Sequence, residues 1–155
     1  TDPANHIKLS KLLAGAVYEL ALAVGQKDTT GNSISSDYVA VSMKGMLLGE
    51  DIPKDAVGNT ANVDKIANPD NIFYSEKMRT LFIGEDSSTL HINNFLWAYN
   101  VDTKKLSRIL SLPAGAESTG LQTLDNMNGF AYIMSNYQHA GDYSSNIDAA
   151  LKSRL

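Results

Sequence analysis

The chain has 155 residues, of which 43% are apolar, and this is enough to form the core of one compact domain. Its 17 acidic and 13 basic residues give a net charge of -4 without a basic stripe, which argues against a nucleic-acid partner. Cysteine is absent, so a disulfide framework, a thiolate metal site and a cysteine nucleophile are all excluded.

The first third of the chain supports two structural interpretations. Apolar residues from Leu9 to Leu20 recur at helical spacing, whereas Tyr18, Leu20 and Leu22 alternate as they would in a strand. A polar turn and a run with a β-branched and aromatic start, YVAVSMKGMLLG, come next. We therefore predict a long hairpin over residues 16–48, with a helical beginning as the alternative.

Two features of this region bear on the nature of the chain. The richest apolar run, LLAGAVYELALAVG, contains Glu19 and is shorter than a membrane-spanning helix, so no membrane span is predicted.

The sequence opens on Thr1 rather than on methionine, and we expect a processed protein or a piece of a larger one.

Residues 53–67 are polar, and we predict one short helix in them, over 59–66. From residue 66 onward the pattern indicates strands. Three hairpins are predicted: one in NPDNIFYSEKMRTLFIGEDSS, one in FLWAYNVDTKKLSRILSLP with its turn at residues 100–104, and one in GLQTLDNMNGFAYIMSNYQHAG with its turn at residues 125–129. Hairpins at similar spacing predict a mainly β chain, built as propeller blades or as a sandwich.

Acidic residues flank the first of these hairpins. Asp70 stands at the start of one strand, and Glu85 and Asp86 stand at the end of the next. Because the strands of a hairpin run back past each other, these carboxylates should reach the same rim, where hard cations such as Ca²⁺ find oxygen ligands. The alternative is a turn at residues 69–71 and a solvated loop at residues 85–88.

Five further polar positions are candidate ligands, and the first three of them would lie at the same rim. His91, Asn93 and Asn94 follow Asp86 closely, although the two asparagines equally suit a turn. Glu117 lies in a predicted loop of small residues, GAESTG, where a ligand could approach the backbone. His139 closes the last predicted strand, and histidine is a common ligand of first-row metals. A surface acid and a surface histidine are the alternatives at the last two positions.

Four segments occur in the order and spacing of the C-terminal part of PhoX-type alkaline phosphatases, which this chain resembles over residues 56–142. They are IANPDNIFYSEKMRTLFIGEDSS, NNFLWAYNVDTKKLSRIL, AGAESTG and SNYQHAGD. The resemblance implies a partial β-propeller that is a fragment of a larger chain. We expect residues 1–155 to form one domain, with a hairpin region at 1–55 and the motif-bearing blades at 56–142.

The resemblance also implies a function. It points to a metal-dependent hydrolase of phosphate monoesters that uses calcium and iron and is periplasmic or secreted. It implies metal-site roles for Asp70, Glu85, Asp86, Glu117 and His139, a small phosphoester as substrate, and the remainder of the same polypeptide as partner. Ala116 and Ala140 depart from the pattern, since such phosphatases often have Cys and usually have Pro there.

Two other classes of function stay open at this point. A calcium-dependent lactonase also uses a Pro-Asp-Asn or Pro-Asp-Gly turn before a strand, and the ordered later motifs favour the phosphatase over it. A non-catalytic propeller that serves as an interaction domain would use the same acids only to cap turns.

Overall fold

The computed structural model describes residues 10–87, 89–142 and 149–153. The described chain is mainly β and forms three antiparallel sheets, none of which closes on itself. The strands are β1 (Ala16–Ala23), β2 (Val39–Leu48), β3 (Pro69–Ser75), β4 (Thr80–Glu85), β5 (Asn93–Asn100), β6 (Leu106–Ala114), β7 (Glu117–Met127) and β8 (Phe130–Gln138), and a single helical turn, α1 (Ala149–Lys152), follows them. No helix in these ranges is long and apolar enough to span a membrane.

The predicted hairpins are confirmed. β1 pairs with β2, β3 with β4, β5 with β6 and β7 with β8, and a further pairing of β4 with β5 joins two hairpins into the four-stranded sheet β3-β4-β5-β6. The turn of the last hairpin is tighter than predicted: Asn128 and Gly129 both have positive φ, at 53° and 85°. Asn-Gly suits this backbone because glycine has no Cβ and asparagine tolerates the left-handed region.

Two local predictions are wrong. Residues 59–66 form turns rather than a helix, because Asn59 and Asn62 use their side chains on the backbone: Asn59 accepts from the Ile92 amide and Asn62 from the Asp64 amide. Glu117 lies in no loop, since it is the first residue of β7. There it pairs with Gln138 of β8, so the small residues after it belong to a strand.

The four-stranded sheet is covered on both faces. One face presents Leu81, Ile83 and Trp97, which pack in a buried cluster with Val17 of β1. The other face presents Phe82 and Leu96, which pack against Leu121 of β7. Because successive side chains of a strand point to opposite faces, the same alternation sends β4 residues alternately toward β1-β2 and toward β7-β8.

A close approach brings β7 onto this sheet. Gly84 of β4 faces β7, and a Cβ at that position would lie 2.4 Å from the Ser118 carbonyl oxygen. Only glycine permits this distance, because any side chain would overlap the β7 backbone. The contact sets the start of β7, and with it Glu117, beside the end of β4.

Candidate metal centre

Asp86 follows β4 and is held by a neighbouring loop residue. Its amide donates to the Asn68 carbonyl oxygen over 3.2 Å, and the Asn68 side-chain amide donates to the Asp86 carbonyl oxygen over 2.6 Å. Asn68 itself adopts a positive φ of 42°, a conformation that asparagine tolerates better than most residues. The backbone of Asp86 is therefore fixed, while its carboxylate is left free to face the start of β7.

Glu117 is buried at the start of β7 and is oriented by two amide side chains. The Asn71 amide of β3 donates to Glu117 Oε1 over 3.0 Å, and the Gln138 amide of β8 donates to Glu117 Oε2. Three strands thus meet at this carboxylate.

His139 completes the group immediately after β8. Its Nε2 lies 3.1 Å from Glu117 Oε2, and its Nδ1 lies 3.2 Å from the Gly115 carbonyl oxygen. The chain turns sharply here, with φ of 41° at His139, and the Gly141 amide donates to the Ala114 carbonyl oxygen. Gly115 makes room for this return, because a Cβ there would lie 2.2 Å from the Asp142 carbonyl oxygen.

One ligand atom each of Asp86, Glu117 and His139 lie within 4.8 Å of one another. Two oxygen ligands on opposite sides of a Ca²⁺ ion are separated by about 4.6–5.2 Å, since each Ca–O distance is about 2.3–2.6 Å. The spacing therefore fits a shared cation. Asp86 Oδ1 supports this interpretation, because the atom is buried and has no hydrogen-bond partner among the described residues.

The electrostatics of the cluster point the same way. Desolvation raises the pKa of Asp86 above its usual value, and the negative charge of Glu117 raises it further, with smaller contributions from Asp70 and Asp142. A cation between these groups would relieve the repulsion between the Asp86 and Glu117 carboxylates. The charge that the cluster lacks is therefore positive.

Glu117 and His139 stabilise each other's charged forms. Burial by itself raises the pKa of Glu117, but hydrogen bonds from Gln138, His139 and Asn71 outweigh it, so the pKa lies below its usual value. Burial likewise lowers the pKa of His139, and the hydrogen bonds to Glu117 and to the Gly115 carbonyl oxygen outweigh that, so the pKa is raised. These interactions together favour the ionised form of the Glu117 carboxylate.

The structure brings together three of the five residues expected in the metal site. Asp70 is exposed at the edge of the group, where the Asn71 side-chain amide donates to its Oδ2 over 2.8 Å. Glu85 lies on the opposite face of β4 and is fully buried, away from the cluster. Its two oxygens accept from the amides of Ala67 and Phe95, from Trp97 Nε1 at 2.7 Å and from His91 Nδ1 at 3.0 Å.

The other rim candidates have structural contacts. His91 is buried against Glu85, and its Nε2 lies 3.2 Å from the Asn62 carbonyl oxygen. The Asn94 amide donates to the Ala116 carbonyl oxygen over 2.8 Å, which ties β5 to the turn before Glu117. The Asn93 amide donates to the Leu112 carbonyl oxygen. Among the described residues, none of these three side chains is hydrogen-bonded to Asp86.

Sequence reasoning missed the residues that orient the ligands. The sequence pattern gives no orienting role to Asn68, Asn71 or Gln138, although each contacts Asp86 or Glu117. One signal was present for Gln138, since it pairs with Glu117 in the hairpin that alternation predicts. No protein-family model, curated protein or solved structure matches this chain.

Proposed function

We propose that this chain is a segment of a metal-dependent phosphatase that hydrolyses phosphate monoesters, and that Asp86, Glu117 and His139 hold one of its cations. The observation that carries the metal site is the buried, unpartnered Asp86 Oδ1, which lies beside a buried carboxylate and an imidazole. The phosphatase assignment comes from the four ordered sequence motifs, three of which supply one of these residues each.

The arrangement of sheets supports a propeller within this proposal. A propeller blade is a four-stranded antiparallel sheet, and blades face one another around a central axis. The sheet β3-β4-β5-β6 has that strand number and order, with a two-stranded sheet against each face. We propose that β1-β2 and β7-β8 belong to the two neighbouring blades, and that the remainder of a longer, periplasmic or secreted polypeptide completes them.

The roles of the residues follow from their contacts. Calcium or iron, when bound, would polarise a phosphoryl oxygen and stabilise the charge that develops on it. Asp86 would supply a carboxylate oxygen to the cation, and Glu117 a second one whose direction is set by Asn71 and Gln138. His139 Nε2 would turn from Glu117 to the cation, while its Nδ1 keeps the Gly115 carbonyl oxygen as its partner.

Two alternative functions share parts of this description. A calcium-dependent lactonase would use the same kind of oxygen-rich rim, and the order of the later motifs favours the phosphatase. In a non-catalytic interaction domain the three side chains would bind no cation, which makes cation binding the property that separates it from both enzymes.

Cation binding can be located in the isolated chain even when it is weak. We expect Mn²⁺, a paramagnetic stand-in for Ca²⁺, to broaden the NMR signals of the His139 ring and the Gln138 side-chain amide before other signals. Glu117→Gln should abolish this selective broadening, because it removes a charged ligand, whereas Glu76→Gln, in an exposed turn, should leave it intact. Uniform broadening, or equal broadening in both variants, would contradict the proposed site.

A further inference from the structure

Two adjacent asparagines open strand β5, and they have different partners. Asn93 is half-buried, and its amide donates to the Leu112 carbonyl oxygen of the paired strand β6 over 2.8 Å. Asn94 is only 2% exposed, and its partners belong to two segments outside β5 and β6. Asparagine is rarely buried without a full set of hydrogen bonds, so the partners of Asn94 indicate what it does.

The amide of Asn94 is hydrogen-bonded on both sides. Its Oδ1 accepts from the backbone amide of Ser87 over 3.1 Å and from the Ser87 hydroxyl. Its Nδ2 donates to the Ala116 carbonyl oxygen over 2.8 Å. A backbone amide can only donate and a carbonyl can only accept, so this is the orientation of the side chain that satisfies both partners. Ser87 and Ala116 are fully buried, which leaves no room for bulk water to replace the bridge.

The two partners adjoin the two acidic ligands of the cluster. The Ser87 amide belongs to the peptide unit that starts at Asp86, and the Ala116 carbonyl belongs to the peptide unit that ends at Glu117. Because a peptide unit is planar from one Cα to the next, a hydrogen bond to its amide or carbonyl also fixes the Cα of the neighbouring ligand. Asn94 therefore connects the backbone of Asp86 to that of Glu117 through a single side chain.

We propose that Asn94 is a positioning residue of the cation site, which holds Asp86 and Glu117 at the separation at which one cation contacts both carboxylates. The inference rests on the proposed function, since it takes these two acids as ligands of a shared cation. Through the chain the two ligands are 30 residues apart, so the bridge replaces a long and indirect connection with a short one. Residues that orient metal ligands in this way commonly contribute as much to affinity as a weak ligand does.

The role of Asn94 differs from that of Asn71. Asn71 donates to the Glu117 carboxylate itself and so sets the direction of a ligand oxygen. Asn94 bonds beside the ligands and so sets the distance between them. Only an amide side chain suits this position: a carboxylate would accept from Ser87 but repel the Ala116 carbonyl oxygen, and an apolar side chain would bind neither.

A Mn²⁺ titration of the full chain, followed by NMR, tests the proposal. In Asn94→Ala we expect half-maximal broadening of the His139 ring signals at a Mn²⁺ concentration about tenfold or more above that of the wild type. Asn94→Leu, which removes the same hydrogen bonds but leaves no cavity, should show the same shift and serves if the alanine variant does not fold. In the wild type the Asp86 amide and the His139 ring should broaden together. In both variants they should broaden at different Mn²⁺ concentrations, because the two acids no longer share one ion.

Ser75→Ala is the matched control for a loss of stability. Ser75 is 2% exposed and donates to Asp125 Oδ1 over 2.6 Å, so it also links β3 to β7, but at the far end of both strands from Glu117. Urea unfolding should show that this variant is destabilised, and the Mn²⁺ titration should match that of the wild type.

The outcomes separate the role of Asn94 from the site itself. Broadening of both Asn94 variants at the wild-type Mn²⁺ concentration would overturn the role of Asn94 and keep the cation site. Equal weakening in Ser75→Ala would also overturn that role, because affinity would then follow stability. A wild type without selective broadening would overturn the cation site, and the inference with it.

Discussion

At the scale of the single residue, adjacent carboxylates on one strand end have different environments. Glu85 faces the core between β4 and β1-β2 and accepts four hydrogen bonds, whereas Asp86 faces β7 and has an oxygen without a partner. A buried carboxylate with all its acceptor positions filled is a structural anchor, and one with an unfilled position is available to a ligand. Of these two neighbouring acids, only Asp86 therefore has an oxygen available to a ligand.

The anchor can be tested by truncation. Glu85→Ala should lower the free energy of unfolding by about 3–5 kcal/mol, because it leaves Trp97 Nε1, His91 Nδ1 and buried backbone amides without their acceptor. Urea unfolding followed by Trp97 fluorescence measures this change. Glu76→Ala, in an exposed turn, is the matched control and should change stability by less than about 0.5 kcal/mol. Equal losses in the two variants would show that the Glu85 contacts do not stabilise the fold.

A second aspartate gives a prediction about pH. The hydrogen bond from the Asn59 side chain, with those from the backbone amides of residues 57–59, holds the pKa of Asp55 below its usual value despite some desolvation. A lowered folded-state pKa stabilises the fold above the unfolded value of about 3.9, and this contribution is lost as pH falls through the folded value. The wild type should therefore exceed Asp55→Asn in stability near neutral pH by more than it does near pH 3.

Urea midpoints at several pH values measure that difference. Asp37→Asn, at an exposed position outside this turn, serves as the control for changing the net charge. A stability gap between wild type and Asp55→Asn that stays constant from neutral pH to pH 3 would contradict the assignment.

At the scale of the element, alternation and turn residues were sufficient to predict every hairpin. They fail for contacts between sheets, since no pattern within β3-β4 indicates that β7 will lie across Gly84. Alternation could have separated Glu85 from Asp86, because neighbours on a strand point to opposite faces. Only the family resemblance places Glu117 near Asp86, since 30 residues of chain lie between them and local sequence carries no information at that range.

The approach of β7 to Gly84 predicts a coupled loss. Gly84→Ala should destabilise the fold by about 1–3 kcal/mol, because its Cβ would overlap the Ser118 carbonyl oxygen and β7 would have to move. The same movement should weaken cation binding, since β7 carries Glu117 away from Asp86. Gly45→Ala on β2 is the control, because its new Cβ meets only the end of the Leu48 side chain. Urea unfolding and the Mn²⁺ titration measure the two effects. Destabilisation of Gly84→Ala together with normal Mn²⁺ broadening would refute the coupling, and wild-type stability would refute the predicted overlap.

At the scale of the whole molecule, three side chains are a small ligand set for a hard cation. Ca²⁺ takes six to eight oxygen ligands in proteins, and the cluster offers two carboxylates and one imidazole, with Asp70 and Asp142 close enough to raise the pKa of Asp86. Within the proposed function, the rest of the ligand shell would come from other blades of the same polypeptide. The stacking of sheets on both faces of β3-β4-β5-β6 is compatible with such blades on either side.

The last prediction follows from this incomplete shell. The isolated chain should hydrolyse p-nitrophenyl phosphate slowly or not at all in the presence of calcium and ferric iron, because a cation gives up strongly held water only for a nearly full set of protein ligands. A longer polypeptide that contains this chain and extends upstream of Thr1 should be active, and Glu117→Gln should reduce its activity while Glu76→Gln should not. Turnover by the isolated chain at the rate of the longer one would show that no essential ligand lies outside these residues. An inactive longer polypeptide that still binds Mn²⁺ at His139 would instead keep the cation site and reject the phosphatase.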